Sequence, residues 1–157
     1  MAEIRVIWVG KTRNDYAKDG VAFYQKRLKP YFPLKCLTIK GAAHSGRSAE
    51  AAVRAESDAI LKALGPERAV VLLDEGGREF SSLEFGEMLR RTFDERSATL
   101  CFVLGGAYGV DARVRRRADE TLSLSRLTFP HQLARVILLE QLYRAASLRA
   151  GHPYHHE

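Results

Sequence analysis

The sequence lacks the features that mark redox, membrane and secreted proteins. Only two cysteines are present, Cys36 and Cys101, and each lies inside an apolar stretch, which is typical of buried thiols rather than of a disulfide or metal pair. No apolar run approaches the length of a bilayer span, and the opening MAEIRVIWVG resembles a strand more than a signal peptide. These absences predict a cytoplasmic protein without redox chemistry.

Two phosphate-binding motifs are missing as well. The sequence has no GxxxxGK[ST] motif, and its glycine cluster GGAYG lacks the GxGxxG spacing. A dinucleotide or triphosphate site is therefore disfavoured. There is also no low-complexity tract and no convincing internal repeat, so the 157 residues suit one domain, 1–157, that ends in a short tail.

Positive charge is present in excess, and it is unevenly distributed. The net charge is +6; residues 1–65 hold 12 Lys and Arg against 6 Asp and Glu, whereas residues 66–157 hold 13 of each. A basic surface favours a polyanionic partner, and in a cytoplasmic protein that means nucleic acid before membrane. A basic protein without such a partner stays the alternative, because charge constrains solubility better than function.

Apolar, β-branched runs alternate with helical patterns along the chain. Five runs predict strands: IRVIWVG, LKCLTIK, AVVLLDE, TLCFVLGG and TLSLS. The segments between and after them predict helices: residues 14–28, SAEAAVRAESDAILKALG, SSLEFGEMLRRTFDER with a serine cap, DARVRRRAD, and HQLARVILLEQLYRAASLRAG. This alternation predicts an α/β fold with a mainly parallel sheet flanked by helices.

The first and last predicted helices carry unusual apolar faces. In the first, a stripe at helical spacing is expected to face the core: Tyr16, Gly20, Phe23, Tyr24, Leu28 and Tyr31. The last is apolar around most of its circumference and leaves a narrow polar remainder at Glu140, Arg144 and Ser147. Such a helix needs cover on two sides, so we expect a homodimer, with a central position of this helix as the alternative.

Three strand exits are candidate ligand sites, because ligands of parallel α/β sheets bind at the carboxyl ends of strands. They are Leu73 to Gly77, Leu104 to Asp111, and Ser125 to Arg135. Glycines in the second permit close approach of a ligand, and an irregular third exit would offer backbone groups to a heterocycle. Ordinary turns would have the same sequence pattern as these candidate sites.

The loop GAAHSGRS, between the second predicted strand and the second predicted helix, contains two further candidates. His44 and Arg47 could touch RNA there, with a solvated loop as the alternative.

Three segments together resemble a known family: LGGAYGVD, SLSRLTFPHQLARVILLEQLYRA and HPYHHE. They are similar to the RlmH family, SPOUT-superfamily enzymes that methylate N3 of a pseudouridine in large-subunit ribosomal RNA with S-adenosylmethionine. The resemblance covers nearly the whole chain. It implies a homodimer with a C-terminal trefoil knot, and ribosomal RNA within the ribosome as the partner. Periodicity alone would not predict the knot, because knots are rare. A non-catalytic RNA- or ribosome-binding module of the same fold is the alternative.

The resemblance also implies roles for individual residues. The cofactor would lie at the three exits, against Leu73, Asp74, Gly105, Gly106, Ser125, Arg126, Leu127, Thr128, Phe129 and Pro130. His155 is the candidate base or orienting group with Tyr154 beside it, and Arg135 could hold phosphate or stabilise negative charge on the target base. The activated sulfonium methyl needs no metal.

The tail HPYHHE could otherwise be a tag remnant or a metal site. Its histidines lack the i, i+4 helical spacing and the CxxC pairs that hold zinc, and Pro153 and Tyr154 interrupt them. The resemblance therefore favours an active-site tail. Four arginines could add non-specific attraction for RNA, with a solvated helix face as the alternative: Arg113, Arg115, Arg116 and Arg117.

Overall fold

The computed structural model describes residues 3–43, 46–66, 69–96 and 99–156, except the side chains of residues 95 and 96. His44, a predicted RNA contact, lies outside this part. Strands and helices alternate, as the sequence predicts: β1 (Ile4–Val9), α1 (Asp15–Leu28), β2 (Leu34–Ile39), α2 (Ala49–Leu64), β3 (Ala69–Glu79), α3 (Ser82–Arg96), β4 (Leu100–Leu104), α4 (Ala112–Arg117), β5 (Glu120–Ser123) and α5 (His131–Arg149).

The five strands form one parallel sheet in the order β2-β1-β4-β3-β5. The parallel sheet expected from the sequence is thus confirmed. Every residue of β4, LCFVL, is buried, because helices cover both faces of the sheet. The thiol of Cys101 lies buried within this strand, as predicted, whereas Cys36 in β2 is only partly buried.

Two hydrophobic clusters hold helices on opposite faces of the sheet. On one face α1, α3 and α5 pack around residues such as Trp8 and Phe102. On the other, α2 and α4 pack around residues such as Ile7 and Val103. Full burial of a large apolar side chain such as Phe102 contributes about 1.5–3 kcal/mol, so these clusters fix the position of every helix that borders the strand exits.

Polar side chains set the starts of three helices. Before α3, Ser81 and Glu84 form a reciprocal capping box: the Glu84 N–H donates to Ser81 Oγ at 3.1 Å and the Ser81 N–H to Glu84 Oε2 at 2.7 Å. Ser48 accepts from the Ala51 N–H before α2, and Asp111 accepts from the first turn of α4. The predicted serine cap of α3 is confirmed.

The prediction for α1 is wrong for two of its aromatic residues. Tyr16 and Phe23 are 53% and 48% exposed, whereas the buried face of α1 is Ala17, Val21 and Leu28. Small residues are needed there because α1 packs closely against α5: a Cβ on Gly20 would lie 2.9 Å from Val136 Cγ1. The bulky rings are therefore turned away from this contact.

The apolar breadth of α5 follows from its position between α1 and α3. Leu138, Leu139 and Leu142 are fully buried, and both neighbouring helices contact α5. Ser147, predicted in the polar remainder, is fully buried too. The central position that we kept as an alternative accounts for most of this surface within one chain.

The exit predicted at Leu73 to Gly77 is a bulge inside β3 rather than the end of a strand. Leu73 and Arg78 both pair with Leu122 of β5, and the residues between them form the irregularity. A Cβ on Gly77 would lie 2.7 Å from the backbone carbonyl of Thr121, so only glycine allows β3 to return to β5 here.

Candidate functional site

A cleft of about 400 Å³ lies between the bulge of β3 and the ends of β4 and β5. It brings together most of the predicted cofactor residues: Leu73, Asp74, Gly105, Gly106, Ser125, Leu127, Thr128 and Phe129. His131 and Ala134, at the start of α5, line it as well. Arg126 and Pro130 belong to the same loop but do not line the cleft; the Arg126 side chain is 90% exposed and lies 3.8 Å from Glu79.

The glycine cluster at the β4 exit makes a tight turn that exposes backbone to the cleft. The Gly109 N–H donates to the Gly106 carbonyl at 3.0 Å, and Gly109 has a φ of 78°. A Cβ on Gly105 would lie 3.0 Å from Val110 Cγ1 and 3.1 Å from the Gly109 carbonyl carbon. Gly105, Gly106 and Gly109 all line the cleft, so a ligand can approach their backbone closely, as the sequence suggested.

Serines shape the loop at the β5 exit. Ser123 Oγ donates to the Ser125 carbonyl at 3.0 Å, and the Leu127 N–H donates to Ser125 Oγ at 3.0 Å. Leu127 itself is 72% exposed. This irregular segment suits recognition of a flat heterocycle, because it presents peptide groups and an apolar side chain at one edge of the cleft.

A fixed negative charge lies in the cleft wall. Asp74 Oδ1 accepts from Arg115 Nη2 at 3.1 Å, and Oδ2 accepts from the Gly76 N–H at 3.0 Å. The Arg115 hydrogen bond, helped by that of Gly76 and opposed by partial burial, lowers the pKa of Asp74. Asp74 is therefore ionised at neutral pH, and Arg115 is engaged within the chain.

Most of the predicted RNA-attracting arginines of α4 have acidic partners. Arg113 lies 2.7 Å from both Asp58 and Asp111, and Arg117 lies 3.8 Å from Asp119. With Arg115 bound to Asp74, three of these four side chains take part in contacts that join α4 to its neighbours. Arg116 is exposed and has the least restricted access to a partner.

Arg135 is buried beside the cleft rather than open to it. Its side chain is 2% exposed, Nη2 donates to the Val9 carbonyl at 2.7 Å, and Nη1 donates to Thr12 Oγ1 at 2.9 Å. The guanidinium carbon lies 5.0 Å from the centre of the Trp8 ring. Desolvation lowers the pKa of Arg135 to about 10, so it stays charged at neutral pH.

Gln132 holds the loop after β1, residues 10–14, in place. The sequence did not reveal this role. Its Oε1 accepts from the Arg13 and Asn14 N–H groups at 2.8 and 3.3 Å, and its Nε2 donates to the Lys11 carbonyl at 3.2 Å. The first turn of α5 therefore fixes the loop after β1 next to the cleft. No local pattern signals this contact, because more than 100 residues separate its partners.

The tail packs against the second half of α5. Arg144 Nη1 donates to His155 Nδ1 at 3.3 Å, and the Tyr154 hydroxyl donates to Glu140 Oε1 at 3.4 Å. The rings of Tyr143 and Tyr154 meet edge to face with centres 4.7 Å apart. The described part of the tail therefore contacts α5 through both Tyr154 and His155.

The structure does not bring this tail to the cleft of its own chain. His131 lines the cleft, whereas Arg144, which contacts His155, lies about 20 Å further along α5 at a rise of about 1.5 Å per residue.

The surroundings of Tyr154 determine its ionisation state. Burial is the main cause that raises the pKa of Tyr154 to about 12, followed by the effects of Tyr24 and Glu140. The phenol is therefore neutral and can donate a hydrogen bond.

Other candidate sites are weaker. A groove of about 900 Å³ between the ends of α1, α3 and α5 is mainly apolar, and its charged residues pair with one another: Glu87 and Asp94 with Arg90, and Asp94 with Arg149. Across residues 3–43, 46–66, 69–96 and 99–156, no three His, Cys, Asp or Glu side chains form a metal-binding cluster. In the same ranges no helix has the length and apolar character needed to cross a bilayer.

Comparison with known proteins identifies the class to which this fold and cleft belong. A family model described as predicted SPOUT methyltransferase matches residues 2–155. A probable methyltransferase from Bordetella pertussis Tohama I superposes with a TM-score of 0.58 at 15% identity, covering 92% of this chain and 96% of that chain. At that identity the superposition shows the fold alone. The chain therefore belongs to the SPOUT methyltransferase class.

Curated relatives define the family more narrowly. Proteins named ribosomal RNA large subunit methyltransferase H are similar over nearly the full length: 40% identity for Trichlorobacter lovleyi, over 98% of this chain and 99% of the relative, and 42% for Solidesulfovibrio magneticus, over 99% and 100%. The chain belongs to this methyltransferase H family, as its motifs suggested.

Proposed function

We propose that the protein methylates N3 of a pseudouridine in large-subunit ribosomal RNA, using S-adenosylmethionine, in the cytoplasm. The observation that carries the proposal is the cleft between the β3 bulge and the ends of β4 and β5, which gathers most of the residues expected at the cofactor. The choice of large-subunit ribosomal RNA as the substrate rests on the names of the relatives. We further propose that residues 1–157 act as one domain, with the C-terminal part threaded as a trefoil knot.

The cleft fits the proposed cofactor in size and chemistry. Its volume of about 400 Å³ is within the usual range for small-molecule sites. Gly105 and Gly106 leave peptide groups accessible to the methionine part, and Ser125 to Phe129 present backbone groups and Leu127 to the adenine. Bound there, the sulfonium supplies a methyl group that is already activated, so the chain need only position the target nitrogen and assist loss of its proton.

We propose a homodimer in which the tail of one chain completes the cleft of the other. In one chain, Tyr154 and His155 lie far along α5 from the cleft, so they can reach a target base only in another copy. Support for an additional contact comes from α1, where Tyr16 and Phe23 are about half exposed. A symmetric dimer would then contain two composite sites.

His155 is better suited to donate a hydrogen bond than to act as the base. Its Nδ1 accepts from Arg144, so the neutral ring carries its proton on Nε2. Arg144 is held by Glu140, whose Oε1 accepts from Arg144 Nη2 at 2.6 Å and Nε at 3.0 Å. His155 Nε2 can donate to a carbonyl oxygen that becomes negative as N3 loses its proton, and the neutral Tyr154 phenol can do the same once it exchanges its Glu140 acceptor for the substrate.

For Arg135 we propose an indirect part in the reaction. The guanidinium fixes Val9 and Thr12, and Gln132 fixes Lys11 to Asn14, so the loop after β1 keeps one conformation at the edge of the cleft. Lys11 and Arg13 are exposed on this loop and carry positive charge toward solvent. We propose that Lys11 and Arg13 bind RNA phosphates, and that Arg135 keeps the loop in position through its hydrogen bonds to Val9 and Thr12.

Calorimetry with S-adenosylmethionine tests the proposed function most directly. We expect the wild-type protein to bind, and Gly105→Ala to weaken binding at least ~10-fold, because the new Cβ would press on Val110 and on the turn at Gly109. Gly86→Ala is the matched control, since its Cβ would make only an ordinary 3.7 Å contact with Ala145. A folded wild-type protein that binds RNA but no cofactor at millimolar concentration would instead be a non-catalytic RNA-binding module.

A second assay establishes the target. The protein should transfer one methyl group to large-subunit RNA or assembled ribosomes that contain pseudouridine, and mass spectrometry of nuclease fragments should locate it. Transfer to RNA in which uridine replaces that pseudouridine would contradict the proposed substrate.

A further inference from the structure

A buried carboxylate lies behind the proposed cofactor loop. Glu56 is 3% exposed, and it occurs in the stripe of α2 that faces the sheet: Ala52, Glu56, Ile60 and Leu64. An acid at the centre of such a stripe is uncommon, because burial of a carboxyl group costs free energy unless hydrogen bonds compensate for lost water. Its contacts therefore indicate what it does.

The Glu56 carboxyl group lies between two strand exits. Oε2 accepts from the Ala42 N–H, after β2, at 2.8 Å. Oε1 lies 2.6 Å from the point that a Cβ on Gly106 would occupy, and Val9 Cγ1 lies 3.2 Å from that point. The space where a side chain of residue 106 would stand is thus filled by Glu56, while Gly106 itself lines the cleft.

The next two residues of α2 contact the chain that follows Gly106. Ser57 is fully buried, and its Oγ accepts from the Asp111 N–H at 3.0 Å. Asp58 lies 2.7 Å from Arg113 in the first turn of α4. Glu56 and Ser57 therefore contact the beginning and the end of the segment from Gly106 to Asp111, and Asp58 contacts the helix that follows.

We propose that Glu56 is a positioning residue for methyl transfer: it holds Gly106 in the conformation that receives the methionine part of the cofactor. This rests on the proposed function. The carboxyl group is anchored at Ala42 and has little freedom to retreat, so it limits movement of Gly106 away from the ligand. Ser57 acts with it at the other end of the segment.

A double-mutant cycle tests this contact through cofactor affinity. Glu56→Ala removes the carboxyl group and should weaken S-adenosylmethionine binding ~10-fold; Gly106→Ala should weaken it by a similar factor, since its Cβ would strike Oε1. In the double variant the new methyl group enters the space left by Glu56. We expect it to bind no more weakly than Gly106→Ala, whereas independent effects would multiply to ~100-fold. A multiplicative loss would overturn the proposal.

Two further variants separate positioning from stability. Ser57→Ala makes a small change that should preserve folding and weaken cofactor binding severalfold, because the Asp111 N–H loses its acceptor. Glu50→Ala, at an exposed position of the same helix, should leave affinity unchanged. Urea unfolding is measured for each variant. If Glu56→Ala and Ser57→Ala lower only the unfolding midpoint and keep wild-type affinity, the two residues are merely structural and the proposal is wrong.

Ser57→Ala also provides the test should Glu56→Ala not fold, since unchanged affinity in that variant would contradict the role of α2 in holding the segment. Failure of the proposed function has a different signature. If the wild-type protein itself binds no S-adenosylmethionine, the proposed function fails; if the wild type binds and the cycle is multiplicative, only the role of Glu56 fails.

Discussion

Arg135 shows how one buried charge organises the edge of the cleft. Its guanidinium connects α5 to the end of β1 through Val9 and to the following loop through Thr12. Such a side chain contributes little to stability as a charge, because desolvation opposes it. Its importance lies in the hydrogen bonds that it donates to the Val9 carbonyl and the Thr12 hydroxyl.

Arg135→Met is expected to lower the free energy of unfolding by about 1–3 kcal/mol, because the buried Val9 carbonyl loses its donor. Urea unfolding followed by circular dichroism measures this change. The control is Arg149→Met, which removes an exposed pair with Asp94 and should change stability by less than ~1 kcal/mol. Equal effects of the two variants would show that the buried hydrogen bonds of Arg135 contribute no more to the free energy of unfolding than an exposed ion pair.

Arg115 should control the ionisation of Asp74. Arg115→Met removes the main cause of the lowered pKa, so the pKa of Asp74 should rise toward the ordinary aspartate value, as measured by carboxyl NMR during titration. A carboxyl group with a lowered folded pKa stabilises the protein above its unfolded pKa, and this stabilisation is lost as pH falls through the folded pKa. In Arg115→Met the folded and unfolded pKa values of Asp74 lie closer together, so this stabilisation should be smaller and stability should fall less as the pH is lowered. Arg116→Met should leave the titration of Asp74 unchanged.

His155 allows a test of hydrogen-bond donation against base catalysis. Glutamine can donate a hydrogen bond but cannot accept a proton near neutral pH, so His155→Gln should retain part of kcat, whereas His155→Ala should lose ~100-fold. The rate of wild-type methyl transfer should rise with pH as N3 of the substrate ionises. Equal inactivation of both variants, together with loss of wild-type rate on protonation of a single histidine, would identify His155 as the base.

At the scale of elements, regular patterns were predictable and irregular ones were not. The strands and helices follow from apolar periodicity and, for α3, from the serine cap. The bulge in β3 has only two adjacent glycines, Gly76 and Gly77, as its signal. Gly77 lies against Thr121 of β5, which is more than 40 residues away in the sequence. The cleft residues came from strand exits and a family motif, whereas Gln132, Glu56 and Ser57 act across distant segments and carry no local pattern.

Gly77→Ala tests whether this bulge needs glycine. The added Cβ would lie 2.7 Å from the Thr121 carbonyl, so β3 and β5 must separate, and we expect a loss of about 1–3 kcal/mol in unfolding free energy with weaker cofactor binding. Gly76→Ala is the control, because its nearest neighbour, at 3.2 Å, is the end of the Asp74 side chain. Similar stabilities of the two variants would show that the backbone contact is easily relaxed.

At the scale of the whole molecule, subunit complementation tests the composite site. Deleting residues 154–157 should spare folding and cofactor binding but abolish methyl transfer, and Gly105→Ala should impair the cleft. If tail and cleft come from different chains, coexpressed subunits with one defect each should form heterodimers that contain one intact site. At random assembly the mixture should recover about a quarter of the wild-type activity. No recovery in verified heterodimers would indicate that each chain uses its own tail.

The strand order has a consequence for synthesis of the protein. β4 lies between β1 and β3, both of which precede it in the chain, so the centre of the sheet can close only after residues 100–104 have been made. Until then β1 and β3 each have one edge whose backbone N–H and C=O groups lack the partner strand β4, and their apolar side chains are not fully covered. A growing chain of this protein should therefore depend on chaperones until its fourth strand emerges, and premature termination just before that strand should yield fragments prone to aggregation.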